Sequence, residues 1–257
     1  MKRNVLLLLL ALALPLLVWG CISDNDAREV EDALRAVADA WQNKDTEKYL
    51  AGWTDKGLRE AFDVTRAEAK EFLRESIGDQ LYVFRAISNV KVTGESATAE
   101  AQIVEGLLLK PSRFSLIKES GAWKIDREEH LVPAIPSGVT VVDLKLTEFA
   151  FVYDPALITS GHIAFRVENV GKQPHEVALV KVPAGLDVQQ ALRSPEPPPG
   201  IEDIGFILLQ HTGETMNMVF TQALAPGRYL MVCFLPDTEG DGQPHALKGM
   251  VSEFTIQ

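Results

Sequence analysis

The chain has 257 residues and a formal net charge of −11, with 46% hydrophobic and 24% charged residues. This length suffices for two ordinary domains, and the composition is that of a globular protein. No run of lysine and arginine occurs, which argues against a nucleic-acid partner because such proteins usually carry a basic patch.

The first twenty residues have the pattern of a secretory signal. Lys2 and Arg3 are followed by an almost unbroken apolar run from Val5 to Val18. This run is too short to favour a transmembrane helix. We therefore predict that residues 1–20 direct export rather than form part of a folded domain.

A cysteine follows the apolar run directly, in the stretch Val18-Trp19-Gly20-Cys21. The stretch resembles a bacterial lipobox, although Trp19 stands where a smaller residue is usual. The resemblance implies that Cys21 becomes the lipidated first residue of a tether over residues 21–26. Plain secretion and an uncleaved anchor are the alternatives.

Residues 27–131 predict helices first and strands afterwards. Val30, Leu34, Val37 and Trp41 recur at helical spacing, a second helix starts near Asp45, and a Thr65-Arg66-Ala67-Glu68 capping box opens a third. The hydrophobic period then changes to two, which is typical of strands. Five strands are predicted, over residues 82–87, 90–93, 97–104, 114–117 and 123–125. This order predicts an α+β unit.

Three stretches of this unit resemble the NTF2-like, SnoaL-like or cystatin-like group. They are Trp41 to Asp45 (WQNKD), Ser96 to Glu100 (SATAE) and Gly121 to Ile125 (GAWKI). In that group a curved antiparallel sheet wraps a helix to form a cone. The resemblance therefore implies an α+β cone over residues 27–131.

Residues 132–138 contain two prolines and a glycine, which predicts a linker. From residue 139 to 257 the chain consists of seven or eight short segments of strand character separated by glycine and proline turns. This pattern predicts an all-β sandwich. The complete fold expectation is two domains, and we expect a fragment starting near Ser137 to fold on its own.

Only two cysteines occur, so a lipidated Cys21 would leave Cys233 alone in an exported protein. An odd cysteine in an oxidising compartment is a metal ligand, a reactive thiol, an intermolecular link or a buried inert thiol. His175, His211, His245 and Met250 are further soft or borderline donors in the same half of the chain. Two imidazoles and a thiolate with a weak axial thioether are the ligands of an electron-transfer copper site.

Three stretches of the C-terminal half resemble the cupredoxin or plastocyanin-like family. They are Asn169 to His175 (NVGKQPH), Pro226 to Cys233 (PGRYLMVC) and His245 to Met250 (HALKGM). The resemblance implies a Greek-key sandwich over residues 139–257. It also implies one type 1 copper, with His175, Cys233 and His245 as equatorial ligands and Met250 as the axial one.

Two departures from the family pattern distinguish this chain. Eleven residues, Phe234 to Pro244, separate the cysteine from the second histidine, where small cupredoxins have only a few. Glu176 follows the first histidine, where the family often has an asparagine. Three other candidates are assigned structural roles: His211 to a surface turn, His162 to an exposed turn, and the alternating Met216 and Met218 to the core.

We therefore expect an extracytoplasmic protein, anchored to the membrane by lipid, that passes single electrons through one copper to a redox partner protein of unknown identity. A copper-delivery module without a redox role and a metal-free interaction lipoprotein are the alternatives. The five histidines form no His-x-His pair, and Tyr49, Tyr82 and His130 form no recognisable acid–base set. On this basis we predict that the chain is not an enzyme.

Overall fold

The computed structural model describes residues 24–257 except Pro195 and Pro197. The predicted signal and the lipidation site at Cys21 lie outside the described residues, so they stay predictions. Within residues 24–257, no helix combines the length and the apolar character that crossing a membrane requires.

Four helices precede the first strand: α1 (Asp24–Gln42), α2 (Thr46–Ala51), α3 (Asp55–Phe62) and α4 (Arg66–Ser76). The helical spacing in α1 buries Val30, Leu34 and Val37 on one face. The predicted capping box is present at Thr65, which starts α4. Helix α3 was not predicted, because it is short and its start depends on a single cap. The Thr54 hydroxyl accepts a hydrogen bond from the Gly57 backbone N–H.

The first sheet is an antiparallel meander in the order β1-β2-β3-β4. Its strands are β1 (Tyr82–Thr93), β2 (Ser96–Glu105), β3 (Leu108–Glu119) and β4 (Ala122–His130). The two segments predicted within β1 form one strand with an irregularity between Ser88 and Lys91, where Asn89 adopts φ 53°. Phe114 from the sheet and Trp53 from the helical region are fully buried in one shared core.

Eight more strands form two further sheets. One has the order β10-β7-β5-β6, with β5 and β7 parallel, and the other is antiparallel in the order β12-β11-β8-β9. The strands are β5 (Thr140–Thr147), β6 (Ala150–Val152), β7 (Ile163–Asn169), β8 (His175–Val182), β9 (Glu202–Leu209), β10 (Thr215–Val219), β11 (Gly227–Val232) and β12 (Val251–Ile256). A short helix α5 (Val188–Ala191) and two 3₁₀ helices, Pro155–Leu157 and His245–Lys248, complete the described elements.

Strand alternation places the apolar residues of these two sheets in a second core. Val142, Leu144 and Leu146 of β5 are all 0% exposed, and they share this core with residues of β8 and β11. The described residues thus form an α+β protein with several antiparallel sheets. This confirms the predicted combination of helices with antiparallel sheets.

The turn between β2 and β3 reaches the second core. Leu108, the first residue of β3, is 1% exposed there. The Leu107 backbone N–H donates to the Ile204 carbonyl (2.9 Å), and the Thr221 N–H donates to the Leu107 carbonyl (2.9 Å). Gly106 is required at this turn because its φ is 58° and a Cβ would lie 2.7 Å from the Ile204 oxygen.

Candidate metal centre

Three of the predicted ligands meet in the second core. The Nδ1 atoms of His175 and His245 are 3.2 Å apart, and Cys233 Sγ lies 3.4 Å from His245 Nδ1. One ligand atom from each residue lies within 4.8 Å of the others. All three side chains are 0% exposed, although histidine is normally a surface or half-buried residue.

The first histidine is placed by the loop before β8. Asn169 is fully buried; its side-chain amide donates to the Gln173 carbonyl (2.9 Å), and its Oδ1 accepts from the Gly171 N–H (2.9 Å). These bonds fold the loop back over His175. A Cβ on Gly171 would lie 2.7 Å from His175 Nε2, so only glycine leaves room for the imidazole.

The backbone of the second ligand segment is joined to the cysteine. The Ala246 N–H donates to the Cys233 carbonyl (2.8 Å), and the Cys233 N–H donates to the Met250 carbonyl (3.2 Å). The Met250 N–H in turn bonds the His245 carbonyl (3.0 Å), and Met250 is 0% exposed. Cys233, His245 and Met250 therefore share one hydrogen-bonded frame in the core.

The eleven-residue loop closes on itself before it delivers His245. The Asp237 N–H donates to the Gln243 carbonyl (2.9 Å), and the His245 N–H donates to the Leu235 carbonyl (2.8 Å). These two bonds join the ends of the loop and bring the chain back to the neighbourhood of Cys233. The long spacing between the cysteine and the second histidine is in this way compatible with their proximity.

Buried Gln173 ties this loop to the first histidine segment. Its amide nitrogen donates to Asp237 Oδ1 (3.0 Å), and its Oε1 accepts from the Thr238 N–H (2.7 Å). Lys248 neutralises the same aspartate through a salt bridge. The sequence analysis overlooked Gln173; its place two residues before His175 was the available signal.

Burial sets the protonation states of the three ligand side chains. It lowers the pKa of both His175 and His245, so the imidazoles are neutral at pH 7. It raises the pKa of Cys233 to about 11, despite a hydrogen bond to Sγ from the Glu176 backbone N–H (3.5 Å). Without metal the site therefore holds two neutral imidazoles and a protonated thiol.

The carboxylate of Glu176 bonds the backbone of the residue that follows Cys233. Its Oε1 accepts a hydrogen bond from the Phe234 backbone N–H (2.6 Å). Burial raises the pKa of this carboxyl. The Glu176 side chain thus links the start of β8 to the residue after Cys233.

The donor set fits a copper ion. Copper in electron-transfer sites takes two imidazole nitrogens and a thiolate, and here two Nδ1 atoms and one Sγ converge with a methionine buried in the same core. The Nε2 atoms of both histidines are buried without a hydrogen-bond partner. Coordination through Nδ1 leaves the proton on Nε2, and Glu148 Oε1 lies 4.0 Å from His175 Nε2.

The other candidates lie apart from this group. His211 and His162 are exposed, and His211 donates its backbone N–H to Glu214 (3.0 Å). Met218 is 1% exposed and Met216 partly buried in the second core. These positions match the structural roles assigned to the four residues.

The first sheet contains an acid that the sequence analysis overlooked. The Glu128 carboxylate lies 3.6 Å from His130 Nδ1, which is also 3.2 Å from the Ser112 hydroxyl. Burial raises the pKa of Glu128 and those of Tyr49 and Tyr82. Glu128 was missed because its burial depends on the helices that cover the sheet.

No protein-family model and no curated protein matches the chain. Among solved structures, a cystatin-like protein of unknown function from Nostoc punctiforme is 15% identical, with 44% of this chain and 96% of that chain covered (TM-score 0.36). An NTF2-like protein of unknown function from Pseudomonas putida is 14% identical, with coverage of 45% and 92% (TM-score 0.36). Reduced auracyanin from Roseiflexus castenholzii is 23% identical, with coverage of 47% and 99% (TM-score 0.31). Each of these likenesses covers less than half of this chain.

The prediction that the chain is not an enzyme needs correction. Two structures from Novosphingobium aromaticivorans are provisionally described as an aromatic ring hydroxylase and a scytalone dehydratase. They are 20% and 19% identical, with TM-scores of 0.34 and 0.32, and cover 42% and 44% of this chain. These descriptions, which concern those two proteins, contradict the prediction. It rested on a search for short motifs, which does not detect acids such as Glu128 that only folding buries.

Proposed function

We propose that the chain is a copper protein that transfers single electrons through one type 1 copper held by His175, Cys233, His245 and Met250. The observation that carries the proposal is the fully buried His–Cys–His group, whose ligand atoms lie within 4.8 Å of one another. Copper, when bound, supplies a change of oxidation state by one electron.

The protein's own residues favour a site that changes little between oxidation states. The backbone bonds among Cys233, His245 and Met250 hold three donors on one frame. Gln173 and Asn169 hold the loop before His175, the fourth donor, against this frame. A rigid donor set supports fast electron transfer because little rearrangement accompanies the change of charge.

A cupredoxin-like sandwich is the fold that we propose for residues 139–257. The two sheets that share the second core, β10-β7-β5-β6 and β12-β11-β8-β9, support this assignment. The histidine at the start of β8 and the cysteine directly after β11 lie at one end of neighbouring strands. That arrangement supports a site at one end of the sandwich.

We also propose that the protein is exported and held at a membrane by lipid on Cys21, with a redox protein as its partner. The signal-like pattern of residues 1–20 and the lipobox resemblance support this location. Cys21→Ser should release or misprocess the protein. Mass spectrometry of the mature N-terminus checks this, and an unmodified N-terminus at another residue would contradict it.

The visible spectrum of the copper-loaded, detergent-solubilised full chain tests the proposal. We expect one copper per chain and an intense thiolate-to-Cu(II) charge-transfer band. Tight binding of Cu(I) without such a band would instead indicate copper delivery. Failure to retain copper would indicate a metal-free interaction protein.

A further inference from the structure

The turn between β5 and β6 covers the second imidazole of the site. Thr147 pairs with Ala150, so Glu148 and Phe149 form a two-residue hairpin turn. The Phe149 ring lies edge-on to the His245 ring, with 5.1 Å between the centroids and 66° between the planes. Phe149 is partly exposed, whereas His245 beneath it is 0% exposed. The phenylalanine therefore stands between the imidazole and solvent.

The backbone of this turn is strained in order to present the ring. Phe149 has φ 64°, in the left-handed region that favours glycine. The other non-glycine residues with positive φ in the described chain are Lys44, Asp63, Asn89 and Ser120, all polar or charged. A bulky residue in this region is strained and persists only where surrounding contacts impose the conformation. The strain at Phe149 indicates that contacts of its ring, rather than the backbone preference of the turn, fix this conformation.

Contacts on the outer side hold the ring in place. Lys248 Nζ lies 5.2 Å from the centroid of the Phe149 ring, in a cation–π arrangement. The same ammonium group bonds Asp241 (2.7 Å) and Asp237, both in the eleven-residue loop between Cys233 and His245. Phe149 is thus packed between the buried imidazole and a lysine that the loop anchors.

We infer that Phe149 is a positioning residue that closes the copper site against water and external ligands. This inference rests on the proposed function and narrows it. A centre closed in this way keeps only its protein ligands, so it exchanges electrons without binding a small molecule at the metal. Opening the turn would convert it into a centre that binds small anions.

The test without metal uses diethylpyrocarbonate, a histidine reagent, on the apo full chain, with modified residues mapped by mass spectrometry. In the wild type we expect exposed His211 to react quickly and both His175 and His245 to stay protected. In Phe149→Ala, His245 should react roughly tenfold faster, because local opening suffices to expose it. His175, against which Gly171 of the loop before β8 packs, should stay protected, and this separates local opening from unfolding.

Three variants control for loss of bulk and for loss of stability. Phe149→Leu keeps an apolar side chain over the imidazole and should restore protection. Phe149→Gly removes the ring while suiting the left-handed backbone, so it replaces the alanine variant if that variant does not fold. Phe151→Ala, on the same hairpin and packed against the same core, should leave His245 protected.

The test with metal adds sodium azide to the Cu(II)-loaded proteins. The wild type, Phe149→Leu and Phe151→Ala should keep their spectra, and Phe149→Ala should gain an azide-to-copper band. Azide binding to the wild type, or rapid modification of His245 in the wild type, would overturn the inference. If no variant binds copper, the proposed function fails, while the diethylpyrocarbonate result still decides whether Phe149 covers His245.

Discussion

At the scale of single residues, the site is defined by what burial does to three side chains. Two imidazoles with lowered pKa and a thiol with raised pKa share one pocket of the core. Neutral imidazoles are ready to bind a metal, but the thiol has to lose its proton first. The proposed copper binding would therefore require the deprotonation of Cys233 alone.

Copper affinity should rise with pH as a result. Between pH 7 and 10 the Cys233 thiol, with its pKa near 11, is mostly protonated in the apo protein, so each bound Cu(II) displaces one proton. The apparent affinity should increase about tenfold per pH unit. Chelator competition at several pH values measures the slope, and Cys233→Ser should abolish it. A wild-type affinity that is constant from pH 7 to 9 would show that the thiolate is not a ligand.

The ligand residues should differ in what their replacement does. Cys233→Ser should abolish the charge-transfer band, and His175→Ala and His245→Ala should each weaken copper binding. Met250→Leu should retain copper and raise the reduction potential, because the axial thioether bond is weak. Absorption, copper stoichiometry and voltammetry check these outcomes. His211→Ala, in an exposed turn, serves as the control, and loss of copper in that variant would mean that the ligand set is misassigned.

At the scale of elements, the site depends on how two loops are joined. The loop before β8 supplies one histidine, and the loop after β11 supplies the cysteine and returns to the second histidine. Gln173 is a direct side-chain link between them, since it bonds both Asp237 and Thr238. Because of this link, the eleven-residue loop can position His245 as accurately as a short loop would.

Removing this link should loosen the site without dismantling the sheets. Gln173→Ala removes one of two hydrogen bonds to Asp237 Oδ1, which keeps the Glu239 N–H (3.1 Å), and leaves the part-buried Thr238 N–H without its partner; such a loss costs about 1–3 kcal/mol. Copper affinity should fall about 10- to 100-fold, as for other groups that support metal ligands. Gln243→Ala, an exposed side chain in the same loop, is the matched control. Equal copper affinity in both variants would contradict this role for Gln173.

At the scale of the whole molecule, the two cores are not separate. Leu108 begins a strand of the first sheet but lies in the second core, and the Leu107 backbone bonds residues on both sides of it. Lys110 adds a cation–π contact with Phe206 of β9, 4.3 Å from the ring centroid. We propose that residues 27–131 and 139–257 are two domains, and that the β2–β3 turn couples their stabilities.

Leu108→Ala should therefore destabilise residues 139–257, the half of the chain that we propose binds copper. Truncating a buried leucine costs about 2–5 kcal/mol, and the cavity would open in the second core. Denaturant unfolding followed by the charge-transfer band should show the loss, and Leu109→Ala, a partly buried neighbour, should cost less. A fragment starting near Ser137 should fold and bind copper but show a similar deficit. A fragment as stable as the full chain would show that the turn contributes nothing.

Local sequence patterns were sufficient for features that depend on neighbours along the chain. The capping box at Thr65 and the helical spacing in α1 are set by side chains a few positions apart, so they could be predicted directly. The four proposed ligands could be named because their spacing resembles that of a known family. Helix α3 was missed because its start depends on a single hydroxyl cap at Thr54.

Tertiary structure decided what depends on contacts between distant segments. His175 and His245 are 70 positions apart, and their 3.2 Å approach follows from the packing of β8 against β11 and from the closed ligand loop. The cover that Phe149 provides, the link through Gln173 and the insertion of Leu108 have no local signature, because each partner is distant in sequence. The sequence by itself determined which donors are present, and packing determined that all four of them are buried away from water.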